Sequence, residues 1–193
     1  DINPWGLVMI ENSGGILGGH LSAQLVQEMD GTTYGTYDPR LEQITDSVAA
    51  DTYRGTVNGA GNPNQAYNVI SDESIYAQET SPIYLVTYAE VKFIEAEAAL
   101  RANQPVRAYD AYEAGIRANM DKLGVSQSEE DQYWSASDVS VGAANLTIDD
   151  IMRQKNIAMF LHPEAWTDHR RHDYNYPQFD LPVNVNTDMN GNF

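Results

Sequence analysis

SPIYLVTYAEVKFIEAEAALRANQPVRAYDAYEAGIRANMDKLG, residues 81–124, is the stretch on which the fold turns. Its apolar residues recur at helical spacing. The periodicity predicts a helix from Ser81-Pro82 through about Asn103, with Pro82 in the first turn, where a missing N–H is not needed. Leu85, Ala89, Phe93, Ala96 and Leu100 form one apolar side and Val91, Ile94 and Ala98 another, with Glu90, Glu97 and Arg101 between them. A helix of that kind is expected to pack on both flanks. Asn103-Gln104-Pro105 breaks the pattern, and a second helix follows from about Val106 to Leu123. Its small residues Ala108, Ala111, Ala114, Gly115 and Ala118 permit close approach, and Gly124 closes it. Residues 82–124 therefore read as an antiparallel helix hairpin.

Outward from the hairpin, residues 1–20 carry turn chemistry, ahead of a short helix at about Leu21 to Met29 with Ser22 as its cap. From Gly31 to Ser81 the chain is rich in Gly, Thr, Asn, Asp and Tyr and has little periodicity. It reads as a long ordered excursion, with a turn at Asp38-Pro39-Arg40-Leu41 that starts a short helix. Residues 125–146 are acidic and Ser-rich and read as a surface connection. Thr147 with Asp149 and Asp150 marks a helix start, and that helix is expected to run to about Leu161. The fold class expected is all-α, helical hairpins with long ordered loops.

The chain has 193 residues, 28 acids against 11 bases, a formal charge of −17 and no cysteine. It suits a single helical region over residues 1–193, with 42% hydrophobic content to form a core. The charge argues against nucleic acid and anionic membrane as partners, since both need clustered Lys and Arg. Without cysteine there is no disulfide, thiolate ligand or thiol nucleophile in this span. No run approaches the ~20 apolar residues of a membrane helix.

Sites of chemistry are few. His162, His169 and His172 fit no ligand spacing, so no metal is expected from them. Gly14 to Gly19 lacks the Lys-Ser/Thr ending of a phosphate loop and reads as a turn. Asn186-Thr187-Asp188-Met189-Asn190-Gly191 alternates oxygen ligands like the start of a calcium loop, without a closing Glu. With so many acids some pair of carboxylates always sits at glycosidase spacing, so their abundance is no evidence of catalysis. No cofactor motif appears. The positive signal is aromatic: 12 Tyr and 3 Trp, many in loops, offer flat faces for pyranose rings. Tyr34, Tyr37 and Trp134 are the candidates for ligand contact, and the competing role is to pin their loops to a core. Pro163 to Arg171 holds the chain's adjacent basic pair. Trp166, Arg170 and Arg171, with Glu164, Asp168 and Lys155, are expected to form a structural cluster that locks the exit of the preceding helix.

The hairpin, small residues facing small residues across a tight turn, resembles a tetratricopeptide repeat unit. The run Ser81 to Glu97 resembles the central helix of SusD/RagB-like outer-membrane nutrient-binding proteins. Gln154 to Leu161, continuing through Pro163 to Asp168 and Arg170-Arg171, is similar to their second signature. Asn3-Pro4-Trp5 and Asp38 to Leu41 are weaker matches, and His169 stands where an aromatic is common. The resemblance implies a lipid-anchored, cell-surface binding protein without catalysis. Such a protein captures glycan, or peptide in the RagB branch, and passes it to a TonB-dependent transporter of the SusC type. A pure docking module for the transporter is the alternative. It also implies that this chain is a portion of a longer protein, with the anchor outside it.

Overall fold

A computed structural model describes residues 3, 19–50, 52–60 and 66–175. Seven helices and no named strand occur among the described residues, so the molecule is all-α. They are α1 (Ala23–Met29), α2 (Arg40–Ile44), α3 (Tyr88–Arg101), α4 (Pro105–Leu123), α5 (Gln127–Trp134), α6 (Ile148–Ala158) and α7 (Glu164–Arg171).

The α3–α4 pair packs most extensively. Asn103 turns the chain between them at φ 58°, a left-handed conformation that Asn tolerates. Pro105 opens α4, and Gly124 ends it at φ 82°. The reason for the small-residue stripe is visible at Gly115: a Cβ there would lie 3.0 Å from the ring of Phe93, which is fully buried. α3 begins six residues later than the apolar pattern suggests. Thr87 is the cap, its Oγ1 accepting from the Glu90 N–H at 3.1 Å, and Ser81 to Thr87 form a non-helical strap. The packing on both flanks is also corrected. The Phe93 side is buried, whereas Val91, Ile94 and Ala98 are exposed and Leu85 is 83% exposed.

The 125–146 connection contains α5. Ser126 and Glu129 form a reciprocal capping box, and the helix turns Tyr133 and Glu130 inward. Acidic composition had masked that signal. Two apolar clusters result. The larger joins α3, α4, α5 and α6 around Phe93, Tyr112 and Met152; the smaller joins α1 and α2 to Ile70 and Ile157. α6 serves both. The excursion before α3 is held by isolated bridges and by Asn68, whose side chain bonds Thr45 and the Asp46 carbonyl.

Arg40 sits between the clusters with no exposure. It makes a forked ion pair with Asp38, with bonds of 2.5 to 3.1 Å, and donates to Asn119 Oδ1 at 3.0 Å and Gln154 Oε1 at 2.6 Å. Gln154 donates in turn to the Tyr133 hydroxyl at 2.8 Å, and the guanidinium lies 5.7 Å from the Tyr133 ring centroid. One side chain thus ties α2, α4, α5 and α6 together. Burial opposes its charge, but the Asp38 carboxylate outweighs this and holds Arg40 above its ordinary pKa.

Candidate functional site

The turn between α1 and α2 builds one wall of a cleft. Asp30 accepts from the Thr32 N–H at 2.8 Å, Gly35 N–H bonds Gly31 C=O at 2.8 Å, and Asp38 N–H returns to Met29 C=O at 2.7 Å. Thr36 Oγ1 donates to Asp138 Oδ1 at 2.5 Å, which fastens the turn to the chain beyond α5. These bonds present Tyr37 at the surface, the residue 38% exposed. The ring is braced by Tyr53, with centroids 6.2 Å apart, and its hydroxyl donates to Glu42 Oε1 at 2.8 Å. Burial, then the contacts with Tyr53 and Glu42, push the phenol above its usual pKa, so it stays a donor.

The opposite wall is α5. Its Glu129 and Gln132, one turn apart, face the cleft with Ser135, and Pro39 and Tyr133 close the floor around about 470 Å³. Two carboxylates, an amide and several hydroxyls surround a flat ring, and no cation among the described residues lines the space. The Ser126 hydroxyl and N–H hold Glu129 below the usual carboxylate range. It is therefore ionised and lacks the raised pKa of a glycosidase acid. Such a cleft suits a neutral, hydroxyl-rich ligand: the hydroxyls donate to Glu42 and Glu129 while an apolar sugar face lies on Tyr37.

The other two aromatic candidates lie elsewhere. Tyr34 has the Arg153 guanidinium 4.1 Å from its ring centroid, so one face is taken. Trp134 belongs to α5, not to a loop, and packs on Tyr109 at 5.4 Å and Tyr112 at 6.0 Å, with Arg117 over it. Of the cleft residues, Glu42, Gln132 and Ser135 escaped the sequence reading. The i, i+3 spacing of Glu129 and Gln132 would have pointed to them once α5 was seen.

The Pro163 to Arg171 segment is itself helical. Lys155 Nζ meets Asp168 Oδ2 at 2.6 Å, both buried, and Arg171 bridges Asp168 at 2.8 Å to Glu97 on α3. Arg101 joins Glu97 at 2.9 Å. Burial alone would raise Glu97, but the bonds from Arg171 and Arg101 outweigh it and hold the carboxyl at about 2. Lys155, Asp168 and Arg171 thus meet, with Glu97 as the partner not anticipated. Glu164 and Arg170 are exposed outside this network. Trp166 is 59% exposed, packs against Tyr174 and takes no part in the ionic network. No cluster of potential metal ligands occurs among the described residues. The calcium-like Asn186 to Gly191 run lies outside them, as does nearly all of the Gly14 to Gly19 turn.

No helix among the described residues is long and apolar enough to cross a membrane. A comparison with curated proteins returned no match. Residues 19–192 match the model of a SusD-like family described as starch-binding and associating with the outer membrane. That match covers nearly the whole chain, including the strap, the hairpin, the Arg40 junction and the Glu97 network, and the chain therefore belongs to the SusD-like family of outer-membrane glycan-binding proteins.

Proposed function

We propose that this chain captures glycan in the Tyr37 cleft at the cell surface, without catalysis, for transfer to a TonB-dependent transporter of the SusC type. The observation that carries the reading is the cleft itself: a braced, half-exposed ring among hydrogen-bonding groups of no positive charge. The family description supports a glycan as the ligand class. Isothermal titration against soluble starch and a panel of other polysaccharides and peptides tests it. Binding of a glycan supports the reading; peptide binding with every glycan silent overturns it in favour of a RagB-like role.

A second role, docking on the transporter, is favoured by the exposed strap residues Ile83, Leu85 and Val86. Co-purification with the transporter after Leu85→Glu and Val86→Glu tests this contact, and an undiminished complex excludes it.

A further inference from the structure

The Tyr37 cleft has carboxylates and no cation. A second cavity, about 210 Å³, has the reverse chemistry. It lies between the strap, the last turn of α4 and the turn that follows α6, and its walls include Ile75, Ile83, Phe160 and Leu161. That volume is below the usual range for drug-sized ligands, ~300–1,000 Å³, and suits a small molecule, not a polymer.

Lys122 is its charged group. Nζ donates to the Tyr76 hydroxyl at 3.1 Å and lies 5.2 Å and 5.3 Å from the ring centroids of Tyr76 and Tyr84. An ammonium has three donors, and no carboxylate among the described residues pairs with this one. In a chain with 28 acids and 11 bases, a half-buried lysine left to two aromatic faces is unusual. Burial, and then the charge of Arg40, push Lys122 down to about 8. An anion brought to Nζ would relieve both effects. The cage is also held firmly. Tyr76 packs edge-on against Phe160, with centroids 5.2 Å apart, and Leu161 is fixed at φ 60°, a conformation bulky residues rarely adopt.

We propose that this cavity binds a small organic acid, aliphatic or aromatic, whose carboxylate meets Lys122 Nζ and whose apolar body lies against Ile83, Phe160 and Leu161. The site shares no residue with the Tyr37 cleft and does not depend on the glycan reading.

Isothermal titration of the whole chain with 3-phenylpropanoate and its neutral amide, on wild type and Lys122→Met, tests the proposal. The acid is expected to bind wild type about tenfold or more tighter than the amide, the value of a charge-assisted contact. Lys122→Met is expected to lose that preference, and Tyr37→Ala to retain it. Equal binding of acid and amide to wild type, or an acid affinity unchanged in Lys122→Met, overturns the proposal. Tighter binding of glucuronate than of 3-phenylpropanoate overturns it as well, because the walls would then be selecting hydroxyls. Should Lys122→Met fail to fold, the acid-to-amide ratio on wild type alone decides.

Discussion

Arg40 shows how one residue can hold an irregular helical molecule together. Its guanidinium is out of water, so its worth lies in the Asp38 fork and in the Asn119 and Gln154 carbonyl oxygens that complete its bonding. Removing one partner of such a pair strands the other. Arg40→Ala is expected to cost about 3–5 kcal/mol in urea denaturation. Arg101→Ala, which removes a largely exposed arm of the Glu97 network, is expected to cost at most about 1 kcal/mol. Glu28 gives the molecule a pH signature. Its carboxyl is buried with no ion pair among the described residues, and burial, only partly offset by the Gln24 hydrogen bond and the Arg153 charge, pushes it up to about 7 from 4.5. Between those values the native state keeps a proton that the unfolded chain has lost, so stability from this group falls as pH rises from 4.5 to about 7. Glu97 acts in the opposite sense: its contribution is present above its ordinary range and is lost as pH falls towards about 2. Glu28→Gln should flatten the first slope and leave the second, as read from thermal melts between about pH 2 and 8.

At the scale of elements, the hairpin depends on a large residue meeting none. Phe93 fills the space that Gly115 leaves, so Phe93→Ala is expected to cost about 3–5 kcal/mol through the cavity. Gly115→Val, which drives a branched side chain into a fully buried ring, should cost about 1–3 kcal/mol or more. Ser126→Ala removes the hydroxyl arm of the α5 cap, leaving the Ser126 N–H bond to Glu129, and should cost about 1 kcal/mol. Chemical denaturation of each variant checks these values. Elements announced by a cap were readable, Ser22 before α1 and Thr147 before α6, and the Asp38-Pro39 turn announced α2. The start of α3 was not, because the apolar run Ile83 to Val86 continues the helical period, although Thr87 takes the cap and leaves those side chains in the open. α7 was not foreseen as a helix, because its charges point to distant partners: Arg171 reaches Glu97, 74 residues away in sequence. Such pairing has no local trace.

For the whole molecule, the helical class and the family followed from residues 81–124 and 154–171, where sequence pattern and packing coincide. The candidate site was legible only in part. Tyr37, Tyr34 and Trp134 look alike as aromatic residues of polar segments, and what separates them is tertiary: Arg153 covers a face of Tyr34, Tyr109 and Tyr112 hold Trp134, and Tyr37 alone of the three lines the cleft. The Lys122 cage was invisible for the same reason, since Tyr76 lies 46 positions from it. The proposal that Tyr37 and its cleft bind glycan rests on the exposed ring. Its most direct test is titration of the intact chain and of Tyr37→Ala with the glycan that binds wild type, fold being checked by circular dichroism. Loss of an aromatic platform is expected to weaken binding about tenfold or more with the thermal midpoint little changed. Equal affinity of a folded Tyr37→Ala protein for that glycan would contradict this role.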